Sequence, residues 1–293
     1  MIAPRVLAGR DRYERVMDGW TDNTHADAFT HTVRLVEPDR AVELRLVALP
    51  SPEYLVREAR ARAEAGDVDP AAVAAVPRLA GVRMVGGFTR AMADAFGGGA
   101  GAALLVDAGV EAARLARQVA KLPRARAERA AGGDPWECWQ LDTTGWIDLP
   151  DSCFTYSEAG KALFGTRTIA TPMQPDLYSP RAGQSRVFVR RKVARIERVD
   201  GRLRLAHSMH DNVHGFDLTL ELDAATGRIE RAESVTARLP YAGICSEPQR
   251  KLQALVGETV DGGLRKRLSG HVGGAGGCAQ LFDLTADLLK LLA

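Results

Sequence analysis

The chain has 293 residues, of which 46% are hydrophobic and 26% charged. That composition calls for a packed core in one large domain or two ordinary ones and excludes wholesale disorder. A formal net charge of +2 is too small for the concentrated basic surface that nucleic acid requires. No apolar run of about 18 residues is present to cross a membrane.

The first residues turn charged within a few positions and lack the apolar stretch of a signal peptide, so a cytoplasmic protein is expected. Residues 41–49, "AVELRLVAL", alternate as a strand. Residues 51–66, "SPEYLVREARARAEAG", read as a helix with Ser51 as N-cap and Gly66 as its stop. A short helix over "DPAAVAAVPRL" and a long one over 103–122 follow. The basic, then Gly-Gly, stretch 124–135 reads as a linker. Segment 136–178 gathers Trp136, Trp139, Trp146, Phe154, Tyr156, Phe164 and Tyr178, large rings suited either to a ligand wall or to an interface such as a homodimer contact. From residue 185, alternating segments joined at Asp200-Gly201 and at "AATG" predict about four antiparallel strands. Helical segments then start near Pro248, Gly263 and Gly277.

Displaced by 176 residues, the chain matches itself without gaps: 79–115 against 255–291 share eleven of 37 positions, six of them glycine. The same offset sets Val42, Leu44 and Leu46 on Leu218, Leu220 and Leu222. An internal duplication follows, with a first repeat at 1–123, the linker and aromatic segment at 124–184, and a second repeat at 185–293. The expected fold class is α+β, with an antiparallel sheet and helices on one face in each half, related by a pseudo-two-fold axis. A pocket is expected between the halves. Glycines kept in both copies point to turns and close packing rather than to phosphate binding, because no Walker lysine and no strand–GxGxxG–helix accompanies them.

The candidate chemical groups lie in the second half. "HSMHDNVHG" places His207, His210 and His214 at a strand end, with Asp211 next to His210 as an orienting carboxylate. Tyr241 and Cys245 sit at a strand-to-helix transition and Cys278 at the start of the last helix, where a thiol pKa can fall. Lys192, in a basic strand, could meet an anionic group. The four cysteines are widely spaced with no Cys-x-x-Cys, so free thiols are expected and no metal site is assigned.

"FDLTLELD" after His214, "LPYAGIC", "ALVG" and "GGAGGCAQLFDL" together resemble a bacterial family of domains of unknown function over about 185–292. That family ends in a Gly-Gly-x-x-Gly-Cys-Thr-His-Leu motif. The resemblance puts His214, Cys245 and Cys278 on recurrent positions, with Ala279-Gln280 in place of Thr-His, so that Gln280 stands where the family has a histidine. It also implies an association with catabolism of aromatics and steroids. The resulting expectation is an enzyme without an organic cofactor acting on a small apolar or aromatic substrate. In its most concrete form it is a lyase on a lignin-derived phenolic, cleaving a carbon–carbon bond with release of an aldehyde. His214 or His210 would be the base, and Tyr241 or Lys192 would stabilise the developing anion. Trp136, Trp139, Trp146, Tyr156, Cys245, Cys278 and Gln280 would contact the substrate. The rival expectations are a hydratase or isomerase, a non-catalytic ligand-binding or assembly module, and a metal-dependent hydrolase.

Overall fold

The computed structural model describes residues 2–292. Its centre is one eight-stranded antiparallel sheet: β1 (Arg12–Asp22), β2 (Phe29–Val36), β3 (Ala41–Ala48), β4 (Val56–Ala65), β5 (Phe188–Val199), β6 (Arg202–Asp211), β7 (Gly215–Asp223) and β8 (Ile229–Arg238). The spatial order β4-β3-β2-β1-β5-β6-β7-β8 reads as two four-stranded meanders joined along β1 and β5. In that seam Val16 pairs with Val193 and Met17 with Lys192. The class is α+β, as the sequence implies.

One face of the sheet is apolar and covered. Leu44, Leu46, Phe29 and Val33 pack beneath the first-half helices, and Leu205, Leu218, Leu220 and Ile196 beneath the second-half helices, forming two clusters. The other face is open and carries cross-strand ion pairs. Glu14 faces Arg195 (2.6 Å), Asp18 faces Arg191 (2.6 Å) and Glu43 faces Arg62 (3.1 Å), each directly opposite in register.

The helices are α1 (Pro70–Ala75), α2 (Phe88–Phe96), α3 (Ala100–Ala116), α4 (Arg124–Ala130), α5 (Pro135–Gly145), α6 (Glu158–Lys161), α7 (Pro175–Tyr178), α8 (Leu264–Val272) and α9 (Ala279–Lys290). The 176-residue offset lays α2 on α8 and α3 on α9. It also pairs Glu111 with Asp287 and Arg114 with Lys290, and these helices exchange charges reciprocally. Arg114 of α3 reaches Asp283 of α9 at 2.8 Å, and Lys290 of α9 reaches Asp107 of α3. Among the glycines shared at that offset, close packing accounts for the pair Gly101 and Gly277, whereas Gly81 and Gly257 each take a positive φ (85° and 94°). A Cβ on Gly277 would lie 2.1 Å from the Val272 carbonyl oxygen, and one on Gly101 would lie 2.8 Å from Asp69 Cβ.

Several expectations for the chain before residue 185 fail. Residues 56–65 form edge strand β4, not a helix: their Ala, Arg and Glu favour a helix intrinsically, but pairing with β3 buries Val56 and Ala59 on the core side and leaves Arg57, Glu58 and Arg60 outside. A charged edge also resists pairing with other chains. Strands β1 and β2, rich in Thr, Asp, Arg and His, fill a stretch with no clear alternation in the sequence. The long helix runs over Ala100–Ala116, short of residue 122. Residues 124–178, read as linker and aromatic segment, contain the short helices α4 to α7.

Candidate functional site

The aromatic segment closes over the second half and leaves a cavity of about 120 Å³ between them. Several hydrogen bonds anchor this closure, among them the paired backbone bonds of Ala170 and Ala242. Phe154 N–H donates to the Gly277 carbonyl (2.8 Å), and the Thr155 hydroxyl and Cys245 thiol are 2.9 Å apart. Leu149, Met173, Phe216 and Leu239 make much of the wall apolar.

His214 borders the cavity from the three-residue hairpin connection between β6 and β7. Asp211 builds that hairpin. Its N–H donates to the His214 carbonyl (2.9 Å), while its carboxylate accepts from the N–H groups of Val213 (2.8 Å) and His214 (2.6 Å). The same carboxylate holds the ring, with Nδ1 3.1 and 3.2 Å from the two oxygens. His214 is only 8% exposed and its ring stacks near Phe216. With Nδ1 committed to Asp211, Nε2 is the nitrogen left to serve a ligand. Burial alone would raise the Asp211 carboxyl, but His214 and Arg190 (Nε 2.8 Å) outweigh it and hold it well below the ordinary range.

A second buried carboxylate borders the cavity itself. Asp142, on α5, is buried and accepts from three tyrosine hydroxyls: Tyr156 (2.8 Å), Tyr178 (2.5 Å) and Tyr241. Burial raises its pKa to about 6, against the lowering effect of those donors. Asp142 and Tyr156 border the cavity. No sequence pattern singled out Asp142. Its only local signature is a carboxylate among tryptophans, and the tyrosines come from distant segments.

The structure sorts the other candidates. Trp146, Tyr156, Cys245, Cys278 and Gln280 line the cavity with His214. Tyr241 is fully buried and outside the lining, its hydroxyl donating a hydrogen bond to Asp142. Trp136 and Trp139 stack on each other (5.2 Å) against Phe164 and stand outside the lining. The histidine cluster is dispersed by the two-residue period of β6. His207 is buried under α9, with Nδ1 2.9 Å from the Leu284 carbonyl, and burial lowers its pKa to about 4. His210 is on the open face, 3.2 Å from Asp217. Asp211 therefore orients His214, not its neighbour His210. The thiols move opposite to the expected direction: burial raises Cys278 to about 11 and pushes Cys245 and Cys153 up as well.

Lys192 lies away from His214, in a second cavity of about 180 Å³ between the halves. There its ammonium contacts Glu111 (3.0 Å) and Asp287 (2.9 Å), and Arg114 contacts Glu111, Asp283 and Asp287. Burial would raise Glu111, but Lys192, Arg114 and Arg190 hold its carboxyl down at about 2. Among the described residues, no three His, Cys, Asp or Glu side chains converge as a metal would require, and no helix is long and apolar enough to cross a membrane.

Residues 186–292 match the family model described as "Protein of unknown function (DUF2889)". The match spans β5–β8 and the helices after them, including His214, Cys245 and Cys278. No curated protein and no solved structure matches the chain.

Proposed function

We propose that the cavity beside His214 is the active site of an enzyme that transfers protons on a small, largely apolar substrate, without an organic cofactor. The observation that carries this reading is the His214–Asp211 pair: a buried imidazole fixed through Nδ1, bordering a cavity. Tyr156 also borders the cavity; its proton, like that of Tyr241, is donated to Asp142, so its oxygen stands as an acceptor for a hydroxyl of the substrate.

Size narrows the substrate. An apolar protein cavity of roughly 150 Å³ accepts benzene, so about 120 Å³ suits one ring, with any larger group projecting from the mouth. A monocyclic phenol fits both the apolar wall and the Tyr156–Asp142 pair. The narrower form of the proposal is a lyase. His214 takes the proton of a side-chain hydroxyl, the adjoining carbon–carbon bond breaks to release a small aldehyde, and the electron pair left on the ring-side carbon is quenched by the proton returned from His214. A hydratase or an isomerase would use the same base on the same ring.

The test is product analysis with a panel of monocyclic phenols carrying hydroxylated side chains. Wild-type protein and His210→Gln turn over a member of the panel, and His214→Gln does not. Equal turnover by His214→Gln would end this reading.

A further inference from the structure

Behind the His214–Asp211 pair runs a row of alternating buried charges. Arg190 is enclosed between Asp211 (2.8 Å) and Glu111 (3.2 Å), with its guanidinium over the Phe188 ring. Glu111 in turn meets Lys192, and Lys192 meets Asp287. The row joins the wall of one cavity to the lining of the other.

The first half repeats the start of this row. Arg15 of β1 donates to Glu37 (Nε, 2.7 Å) and to Asp107 of α3 (2.8 Å), as Arg190 of β5 donates to Asp211 and to Glu111 of α3. Three residues past Glu37 stands Arg40, which also bonds its carboxylate (2.6 Å). There the arginine–carboxylate pair serves a permanent cation and the Tyr13 hydroxyl (2.6 Å). In the second half the same device is applied to a ring that can gain and lose a proton.

A bare buried carboxylate 3.1 Å from an imidazole favours the protonated ring and so disables it as a base. We propose that Arg190 is a positioning residue that prevents this: it shares the Asp211 carboxylate with His214, and Glu111 sets how strongly Arg190 does so. The inference rests on His214 being the base. The other charged or titratable groups around the ring are accounted for. Arg238, at the end of β8, donates to the Asp211 backbone carbonyl. Arg117, in the cavity lining, pairs with Asp148 (2.6 Å). Asp142 and Tyr156 are bonded to each other, and burial keeps the thiols Cys153, Cys245 and Cys278 neutral.

The experiment is an NMR titration of the histidine ring signals in the ligand-free protein, with His214 assigned by His214→Gln. Arg190→Gln moves the His214 midpoint up by about one pH unit, and Glu111→Gln moves it down, because each removes a charge of opposite sign. Arg190→Lys stays close to wild type. Glu111→Gln is nearly isosteric and decides alone if Arg190→Gln does not fold. A midpoint that stays in place in folded Glu111→Gln, with only a lower melting temperature, makes the row a mere scaffold and overturns the proposal. The titration needs no substrate, so a failed turnover screen counts against the proposed function and leaves this result standing.

Discussion

Glu37 and Asp211 close the same hairpin in the two halves of the sheet. Each sits at the end of a strand and donates its backbone N–H to the carbonyl three residues on, Arg40 or His214, at 2.9 Å in both cases. Each carboxylate also takes the arginine of the adjoining strand, Arg15 or Arg190. The halves differ in what that third residue is. A guanidinium stays protonated wherever the fold survives, while an imidazole exchanges its proton near neutrality. Of the two hairpins, the one under the aromatic segment carries the imidazole.

Loss of the base has a defined size. General-base catalysis contributes roughly 10²- to 10⁴-fold, so His214→Gln lowers kcat/KM by about that factor. Asp211→Asn lowers it too, and also costs stability through the hairpin N–H bonds it weakens. Arg40→Gln, in the first-half hairpin, leaves kcat/KM unchanged. Steady-state kinetics on the four proteins, with melting curves as a check, test this.

Asp142 makes stability depend on pH in the opposite sense to most carboxylates here. Its folded pKa, about 6, lies above the ordinary 3.8, so the folded state holds the proton more tightly than the unfolded chain. Its contribution is most favourable below pH 3.8 and is lost as pH rises through about 6, a change on the order of 3 kcal/mol. The stability difference between Asp142→Asn and wild type therefore shifts in favour of the variant between pH 4 and 7. Denaturant unfolding across that range measures it.

Two lysines of the charge cluster differ in burial and so in cost. Lys192 is 5% exposed and holds two carboxylates, so Lys192→Met leaves them short of a partner and costs about 3 kcal/mol or more. Lys290 is half exposed and bonds Asp107 alone, so Lys290→Met costs under about 1 kcal/mol. Chemical denaturation of the two variants checks the order.

The thiols should be slow to react. Burial raises all four, and Cys138 and Cys245 are hydrogen-bonded to Tyr178 and Thr155. Disulfide-exchange labelling at pH 8 is expected to be slow for all four in the folded protein and rapid for all four once it is unfolded.

Much of the second half was legible because its strands alternate cleanly and Asp200-Gly201, both at positive φ, turn the chain between β5 and β6. The first half was harder. β4 is made of helix-favouring residues, and only its partner β3 makes it a strand. The site was half visible: His214, Asp211, Cys245, Cys278 and Gln280 lie within recognisable local patterns. Asp142 did not stand out, because its raised pKa and three tyrosine partners exist only once Tyr156, Tyr178 and Tyr241 converge. Nor could spacing separate His207, His210 and His214, which the strand sends to a helix-covered face, an open face and a cavity.

The most direct measurement is NMR contact mapping of a bound ring. The protein is titrated with monocyclic phenols, and NOEs are recorded from the ligand to assigned side chains. The expected contacts run from one bound phenol to His214, Phe216 and Leu239, and are lost when a bulky side chain fills the cavity in Cys278→Phe. Absence of binding across the panel, or contacts only to the charged cavity beside Lys192, would contradict the proposed site.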